Sequence, residues 1–374
     1  MTEGAGRQRL VSLDTFRGLT IAAMILVNNP GNWARIYAPL RHAAWHGWTP
    51  TDWIFPFFLF IMGVALALSH QRRQEAGLVP GVMWRKVLRR AAILFLLGLF
   101  LSGYPSFDLE TLRTMGVLQR IALCYLLLTG TVLWVPKLRY QWLVMATFLA
   151  IYLAVMLGLE VPGYGRGDWS PEGNAGGYLD RLILGPAHLL LGGPYDPEGL
   201  VTTLGAVLSA FIGWLFGRVL VRTADQRQIV RRWLAWSIVL TAGGWLLGWI
   251  MPINKQLWTP SYVLFTGGLA GLGLAACYWL MEMRRVTAWG RPFAILGRNS
   301  LAIFWLSGFL VRNLVALRVG TDGGSVSAWT WLYRNGFANW LPAYPASLAF
   351  ALANVAFWLG VAWILYRRRI FIKL

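Results

Sequence analysis

Ten separated apolar runs set the strongest limit on what this chain can fold into. Each is close to the roughly 20 residues that a helix needs to cross a ~30 Å hydrocarbon core. Little polar chain is left between them, so residues 1–374 are predicted to form one all-α domain, a polytopic transmembrane helix bundle of about ten spans. The runs are approximately Leu13–Asn28, Trp53–Ser69, Val87–Leu101, Gly116–Val135, Trp142–Leu159, Val201–Leu220, Trp233–Met251, Ser261–Met281, Phe293–Val311 and Ser347–Tyr366.

The distribution of basic residues predicts the orientation of this bundle. With the amino terminus inside, the inner segments hold 22 Lys and Arg residues and the outer segments hold 9. Basic loops are retained on the cytoplasmic side during insertion, so both termini are predicted to be cytoplasmic. The net charge of +19 then sits in short loops beside anionic head groups, which makes membrane lipids expected partners and excludes nucleic acid. Cys124 and Cys277 lie within predicted spans, and no metal site is predicted.

The segment RHAAWHGWTPTDWIFPFFLFIMG, residues 41–63, places ionisable groups at the edge of the second run. His42 precedes Asp52 by ten residues, and Asn28 closes the first run at the same level. A neutral imidazole can take a proton, an aspartate can hold its tautomer, and an amide can donate to a developing oxyanion. The set suits acyl transfer without a serine or cysteine nucleophile. By spacing alone, however, Asp52 is better explained as the N-cap of the second helix, and His46 as a loop histidine.

Three arginines fall inside predicted helices, where an uncompensated charge costs at least about 2.5 kcal/mol on insertion scales. Arg17 follows Asp14 by three residues, which predicts a local ion pair. Arg120 in GVLQR and Arg298 in GRNS have no acidic residue at that spacing. Either an anionic ligand or an acidic group elsewhere in the bundle is expected to compensate them.

Two long outer segments carry acidic and aromatic residues. Residues 160–200 include the carboxylates Asp168, Glu172, Asp180, Asp196 and Glu198, and residues 312–346 include the aromatic residues Trp329, Trp331, Tyr333 and Trp340. Carboxylates with flat aromatic faces suit a cationic or sugar-like ligand. An ordinary aromatic belt at the head groups explains the same composition.

Several motifs occur in a fixed order along the chain: SLDTFRGLTIAAMILVNNPG, HAAWHGWTPTDWIFPFFLFIMG, GVLQRIALCYL, YDPEG, NKQLWTPSY, GRNS and ILYRRRIFIKL. Together they resemble the heparan-alpha-glucosaminide N-acetyltransferase family of transmembrane acyltransferases. The resemblance implies acetyl-CoA as the acetyl donor from the cytosol and a terminal glucosamine amine as the acceptor on the opposite side. It also implies a homodimer.

The resemblance assigns roles to individual residues. His42 matches the active-site histidine of the HAxWxG motif, Asp52 matches the aspartate ten residues later, and Asn28 matches the asparagine of the VN pair. The remaining motifs imply residues that face a CoA cavity: Gln119, Arg120, Arg298 and Asn299, with Arg17 as a further phosphate ligand. The proton can pass directly from the acceptor amine to His42, or His42 can carry the acetyl group first.

The chain also departs from the pattern of the lysosomal family member. It begins at the SLDTFRG helix, which predicts that it lacks the luminal amino-terminal domain, and it has His46 where that enzyme carries asparagine. A smaller amino sugar or a cell-envelope glycan is therefore the expected acceptor, and a bacterial inner membrane is the expected location. The alternative function from another class is a transporter or flippase that moves a glycan or lipid without chemistry.

Overall fold

The computed structural model describes residues 10–77, 79–321 and 324–372, so Arg7, Arg9 and Lys373 of the inner basic set lie outside it. The described chain is mainly helical. Its helices are α1 (Val11–Asn28), α2 (Ile54–Glu75), α3 (Pro80–Gly103), α4 (Val117–Trp134), α5 (Leu138–Gly158), α6 (Ala175–Leu184), α7 (Leu200–Arg222), α8 (Gln226–Leu247), α9 (Pro260–Tyr278), α10 (Arg291–Arg298), α11 (Ser300–Ala316), α12 (Ala328–Tyr333) and α13 (Ala343–Arg367). Two antiparallel ribbons accompany them, β1 (Glu160–Val161) with β2 (Gly165–Arg166), and β3 (Arg318–Thr321) with β4 (Gly324–Ser327).

The predicted all-α polytopic bundle is confirmed, and each of the ten apolar runs lies on a helix or a helix pair. Among the described residues, seven helices are long and apolar enough to cross a membrane, or eight if one bent pair is counted as a span. Helices α3 and α8 are outside that set. A total of ten spans, with both termini on one side, therefore stays a prediction.

The ninth run differs from the single straight helix that its sequence predicts. Helices α10 and α11 meet at an angle of 81°. The break lies at Asn299, whose backbone has φ −118° and ψ 28°. The Asn299 side chain donates to the carbonyl of Ile370 at 2.9 Å and accepts from the N–H of Ile372 at 2.9 Å. Asparagine can replace helical hydrogen bonds with such side-chain bonds to backbone groups, which favours a break here.

Helices α2 and α7 pack closely because each presents a glycine to the other. A Cβ atom at Gly63 would lie 1.9 Å from the carbonyl oxygen of Ala210, and one at Gly213 would lie 1.9 Å from that of Phe60. Small residues allow two helix backbones to approach in this way. The close approach holds the middle of α2, the helix that follows Asp52, against α7.

The helices separate into central and peripheral groups. In the apolar windows of α1, α2, α4, α7 and α9, between 61% and 67% of residues are buried, whereas in α5 and α13 only 22% are. The two peripheral helices are apolar on surfaces that no part of the described chain covers, as expected of helices that face lipid. The central five helices enclose the polar groups described below.

Helix α6 and the loops around it are anchored at the start of α7 by Asp180. Its Oδ1 accepts from the N–H of Leu200, the first residue of α7, at 2.9 Å, and the side chain is buried. Burial raises the pKa of Asp180 to about 7, with a smaller contribution in the same direction from Asp196. The carboxyl group is therefore protonated in the folded protein at mildly acidic pH.

This raised pKa predicts a pH-dependent stability. The folded protein retains a proton that the unfolded chain releases near the ordinary pKa of 3.8, so thermal stability should fall as pH rises from there to about 7, and then level off. Asp180→Asn keeps an acceptor for Leu200 and should remove a pH-dependent component on the order of 1 kcal/mol or more. Thermal unfolding of the purified protein in detergent across this range measures it. Glu172→Gln, an exposed carboxylate of the same loop, is the control, and parallel profiles for wild type and Asp180→Asn would contradict the assignment.

Candidate active site

The side chain of Asp52 organises the loop that precedes α2. Its Oδ2 accepts from the backbone N–H groups of Thr49 and Ala43, both at 3.0 Å. Thr49 completes a capping box at the turn of residues 50–53. The other oxygen, Oδ1, lies 2.6 Å from Nδ1 of His42. The sequence left two roles open for Asp52, that of a helix cap and that of a partner for the His42 ring. In the structure one buried carboxylate fills both, with Oδ2 in the cap and Oδ1 beside the ring.

The contact with Asp52 decides which nitrogen of His42 is available. A carboxylate that already accepts several hydrogen bonds acts as an acceptor for Nδ1–H, which leaves the lone pair on Nε2. The His42 side chain is 41% exposed, whereas that of Asp52 is 1% exposed. The pair thus presents a basic nitrogen on an accessible ring and keeps the orienting carboxylate inside.

Lys255, between α8 and α9, is the third member of this group, and sequence reasoning missed it. Its Nζ lies 3.0 Å from Nδ1 and 3.2 Å from Nε2 of His42, and 3.7 Å from Oδ1 of Asp52. A single ammonium nitrogen cannot lie along the lone-pair directions of both ring nitrogens at once. The contact between Lys255 and the His42 ring is therefore electrostatic rather than a directed hydrogen bond. Burial lowers the pKa of Lys255, and the Asp52 carboxylate opposes this effect. In the sequence, Lys255 was marked only by its place in the NKQLWTPSY motif.

Hydrogen bonds from two neighbours hold the Lys255 segment against the His42 loop. Asn254 is fully buried and donates to the carbonyl of Trp45 at 3.0 Å. The hydroxyl of Tyr262 donates to the carbonyl of Asp52 at 2.6 Å. The position of Lys255 relative to His42 is therefore set by contacts across more than 200 residues of sequence.

The two residues of the GVLQR motif face different surroundings. Gln119 lines a cavity of about 240 Å³ together with Asn28, Arg113 and Arg312, here called the amide cavity. Within the described chain, the buried Nε2 of Gln119 has no hydrogen-bond partner. The structure thus brings Gln119 and Asn28 together, whereas His42 and Asp52 are not among the residues that line this cavity.

Arg120 points instead into the interior of the bundle. Its guanidinium lies 4.9 Å from the ring centroid of Trp258 and donates to the hydroxyl of Thr202 and the carbonyl of Gly199. The side chain is completely buried, and its Nε and Nη1 have no hydrogen-bond partner in the described chain. Arg120 is not among the residues that line the amide cavity, and its charge lies against the Trp258 ring.

A cavity of about 660 Å³ lies at the end of the bundle where α1 begins and α2 ends, here called the arginine cavity. Its cationic lining consists of Arg17, Arg72, Arg73, Arg90 and Arg298, and no carboxylate of the described chain lines it. The predicted pair of Arg17 with Asp14 is present at 3.3 Å. Predicted residues Arg17 and Arg298 thus meet here. Asn299 bonds the carboxy-terminal segment instead, and Phe371 and Ile372 of that segment line the cavity.

The arginine cavity fits a polyanionic ligand. Five guanidinium groups surround it, and in the described residues the buried Nε of Arg90 has no hydrogen-bond partner. Guanidinium groups bind phosphate oxygens in paired, charge-assisted hydrogen bonds. Apolar residues of α2 form another wall of the cavity, including Phe58 and Ile61. This combination suits a ligand with phosphates at one end and an apolar arm at the other.

The arginine cavity and the amide cavity lie along the same four helices, α1, α3, α4 and α11. On three of these helices, a residue that lines one cavity is followed within one turn by a residue that lines the other. The pairs are Leu94 with Gly98 on α3, Leu118 with Ile121 on α4, and Leu301 with Phe304 on α11. The two cavities are therefore stacked in one interhelical space.

Three carboxylates of the acidic loop between α5 and α7 make contacts within the protein. Asp196 receives two hydrogen bonds from Arg113, at 2.8 and 2.6 Å, and Glu198 receives one at 2.5 Å. Asp180 caps α7, as described above. All three carboxylates are buried. Asp196 and Glu198 compensate an arginine that lines the amide cavity, since buried ionic groups are stable only when paired. A cationic or sugar-like ligand at the rest of this loop stays a prediction.

Comparison with known proteins agrees with this arrangement. A family model described as heparan-alpha-glucosaminide N-acetyltransferase, catalytic, matches residues 9–166. The heparan-alpha-glucosaminide N-acetyltransferase of Mus musculus is 32% identical over 358 residues, which cover 81% of this chain and 54% of that protein. The protein of the same name from Homo sapiens is 28% identical over 430 residues, which cover 98% of this chain and 60% of that protein.

The chain thus spans little more than half the length of these curated relatives. The part matched by the family model contains Asn28, His42, Asp52 and the GVLQR motif. With its helical membrane architecture, this chain belongs to the heparan-alpha-glucosaminide N-acetyltransferase family.

Proposed function

We propose that the protein transfers the acetyl group of cytosolic acetyl-CoA to the amino group of a glucosamine-type sugar or glycan on the outer face. The observation that carries the proposal is the 2.6 Å contact between His42 and Asp52, which leaves Nε2 of an accessible histidine as a base. The names of the relatives support acetyl transfer as the reaction class.

Residues of the arginine cavity would hold the donor. Arg17, Arg72, Arg73, Arg90 and Arg298 offer phosphate ligands, and the apolar wall offers contact for the arm that links the phosphates to the thiol. Acetyl-CoA, when bound, supplies an activated acetyl carbonyl in a thioester. The acetyl group would extend from the arginine cavity into the amide cavity that is stacked on it.

The residues around His42 would prepare the acceptor. An ammonium group has no lone pair, so the acceptor must react as an amine. The amine nitrogen forms a C–N bond to the acetyl carbonyl, the C–S bond of the thioester breaks, and CoA leaves as the thiolate. His42 Nε2 takes the proton that the amine loses and can return it to that thiolate to give CoA thiol. Asp52 holds Nδ1–H and keeps the ring in that tautomer. The Nζ of Lys255 lies within 3.2 Å of both ring nitrogens and so helps to fix the position of the His42 ring.

Asn28 and Gln119 would stabilise the negative charge that develops on the carbonyl oxygen. Both line the amide cavity, and the Gln119 amide N–H₂ is buried without a hydrogen-bond partner in the described chain. An amide donor that is already in place and unpaired can act on an oxyanion without prior reorganisation. Removing one such donor commonly costs about 10²–10³ in kcat.

The proposal includes location and assembly. The protein is an integral membrane protein, and we place it in a bacterial inner membrane with the arginine cavity toward the cytoplasm, where the donor is made. We further propose one domain over residues 1–374, because α1 packs against both α10 and α13, and a homodimer as the assembled form. A non-catalytic glycan or lipid transporter is the alternative.

His42→Ala should abolish acetyl transfer. Loss of a general base lowers the rate by about 10²–10⁴. Purified protein supplied with acetyl-CoA and glucosamine reports it through the appearance of N-acetylglucosamine. His46→Ala is the matched control from the same loop. His46 contacts Asn254 rather than Asp52, so this variant should lose much less activity than His42→Ala. Equal activity in His42→Ala and wild type would remove His42 from its role, and transport of the sugar without acetylation would favour the transporter.

Lys255→Met should lower the rate of acetyl transfer. Without the ammonium group, the buried Asp52 carboxylate loses a charged neighbour at 3.7 Å, and the His42 ring loses a contact that fixes its position. We expect kcat/KM to fall about tenfold or more, because an interaction with a charged group is worth about 1.5–3 kcal/mol. Lys255→Arg keeps the charge and should retain most of the activity. Equal activity in Lys255→Met and wild type would remove Lys255 from the site.

Arg90→Gln should weaken donor binding with little effect on the chemical step. Its Nε is buried and unpaired in the described chain, and a phosphate ligand would supply its partner. We expect the KM for acetyl-CoA to rise about tenfold, the value of one charge-assisted hydrogen bond, with kcat retained. Arg231→Gln, which removes an exposed arginine of α8, is the control. An unchanged KM would exclude Arg90 from the donor site.

A further inference from the structure

A third cavity, of about 520 Å³, lies on the opposite side of α2 from the arginine cavity. It is bounded by the last turns of α2, α4 and α7 and by the first turns of α3 and α5. Arg72 and Arg73 line the arginine cavity, whereas the neighbouring residues His70, Gln71 and Gln74 line this one. The last two turns of α2 therefore form a wall shared by two cavities at the same end of the bundle.

Arg218 and Arg222 of α7 make this cavity cationic. They are four residues apart, so they lie on one face of the helix and repel each other. Arg218 is half-buried, with its guanidinium 5.7 Å from the ring centroid of Trp214. Within the described residues, neither guanidinium has a carboxylate within 4 Å, and Glu75 is hydrogen-bonded to Gln71 instead.

The proximity of Arg218 and Arg222 is electrostatically unfavourable, and in the described chain no carboxylate lines the cavity to offset it. Two like charges on adjacent turns destabilise a helix, and partial burial of Arg218 against an indole removes water from one of them. A bound anion would compensate both charges at once. His70 and the amides of Gln71 and Gln74 supply further donors around the same space, and no carboxylate of the described chain lines it.

We infer that this α2–α7 cavity binds a phosphate-bearing anion through Arg218 and Arg222. Paired guanidinium groups match phosphate oxygens, and the amide side chains can bond the hydroxyl groups that accompany a phosphate in a head group. The phosphate can belong to an anionic lipid of the surrounding leaflet or to a soluble anion. The inference is independent of acetyl transfer, because none of its residues belongs to the His42 site or to the arginine cavity.

The position of the cavity gives such an anion a means of affecting the arginine cavity. A ligand held by His70 and Gln74 would fix the last turns of α2, which carry Arg72 and Arg73 on their other side. Binding in one cavity is therefore expected to alter affinity in the other by the same factor in both directions.

The test uses the full chain purified in neutral detergent. Native mass spectrometry with phosphatidylglycerol and with phosphatidylcholine measures selectivity for the anionic lipid, and thermal shifts with inorganic phosphate measure binding of a soluble anion. Arg218→Gln with Arg222→Gln should weaken the selective binding about tenfold or more, as expected for loss of a charge-assisted hydrogen bond. Arg227→Gln with Arg231→Gln removes two exposed arginines of α8 at the same four-residue spacing and should leave binding unchanged.

Each outcome decides the inference. Selective phosphatidylglycerol binding that the α7 variant loses and the α8 variant keeps supports a lipid site, and the same pattern with inorganic phosphate alone supports a soluble anion. Equal binding of both lipids together with no phosphate shift overturns the proposal, as does selectivity that survives in the α7 variant. The single change Arg222→Gln, at the exposed end of α7, should weaken binding several-fold and provides the test if the double variant does not fold.

Discussion

The free-energy cost of an unpaired charge in an apolar bundle governs how this protein is built. Asp52 is almost completely buried and is stable there because backbone N–H groups, His42 and Lys255 surround its two oxygens. The same requirement draws Asp196 and Glu198 to Arg113, and it holds Arg120 against Trp258. Several arginines of α2, α3, α7 and α10 have no carboxylate within 4 Å in the described chain and line cavities, where anionic ligands can bind.

The charged groups gather at two ends of the molecule. At one end, a single carboxylate connects the loop before α2, the turn that starts α2 and the segment before α9, so that a histidine and a lysine from distant parts of the chain meet. At the other end, arginines from α1, α2, α3 and α10 face an open volume. From that end, the stacked cavities between α1, α3, α4 and α11 extend as far as Asn28 and Gln119.

Helix α2 has a structural role at both ends. Its first turn follows Asp52, its middle packs against α7 through Gly63 and Gly213, and its last turns separate the arginine cavity from the α2–α7 cavity. A helix that is packed this tightly transmits a displacement along its length, because close-packed interiors do not deform continuously. The anion site inferred beside α7 would therefore act on the element that also carries two arginines of the proposed donor site.

The sequence by itself determined the helical bundle, because runs of apolar residues near membrane-spanning length leave few other folds, and its motifs indicated His42 with Asp52 and Arg17 with Arg298. Helix periodicity could not reveal the break at Asn299, which depends on hydrogen bonds to residues 370 and 372. Only the tertiary structure placed Lys255 against His42, turned Arg120 away from its neighbour Gln119, and paired the acidic loop internally. Apolar length and local spacing are properties of neighbouring residues, whereas these contacts join segments up to about 200 positions apart, whose meeting depends on how the helices pack.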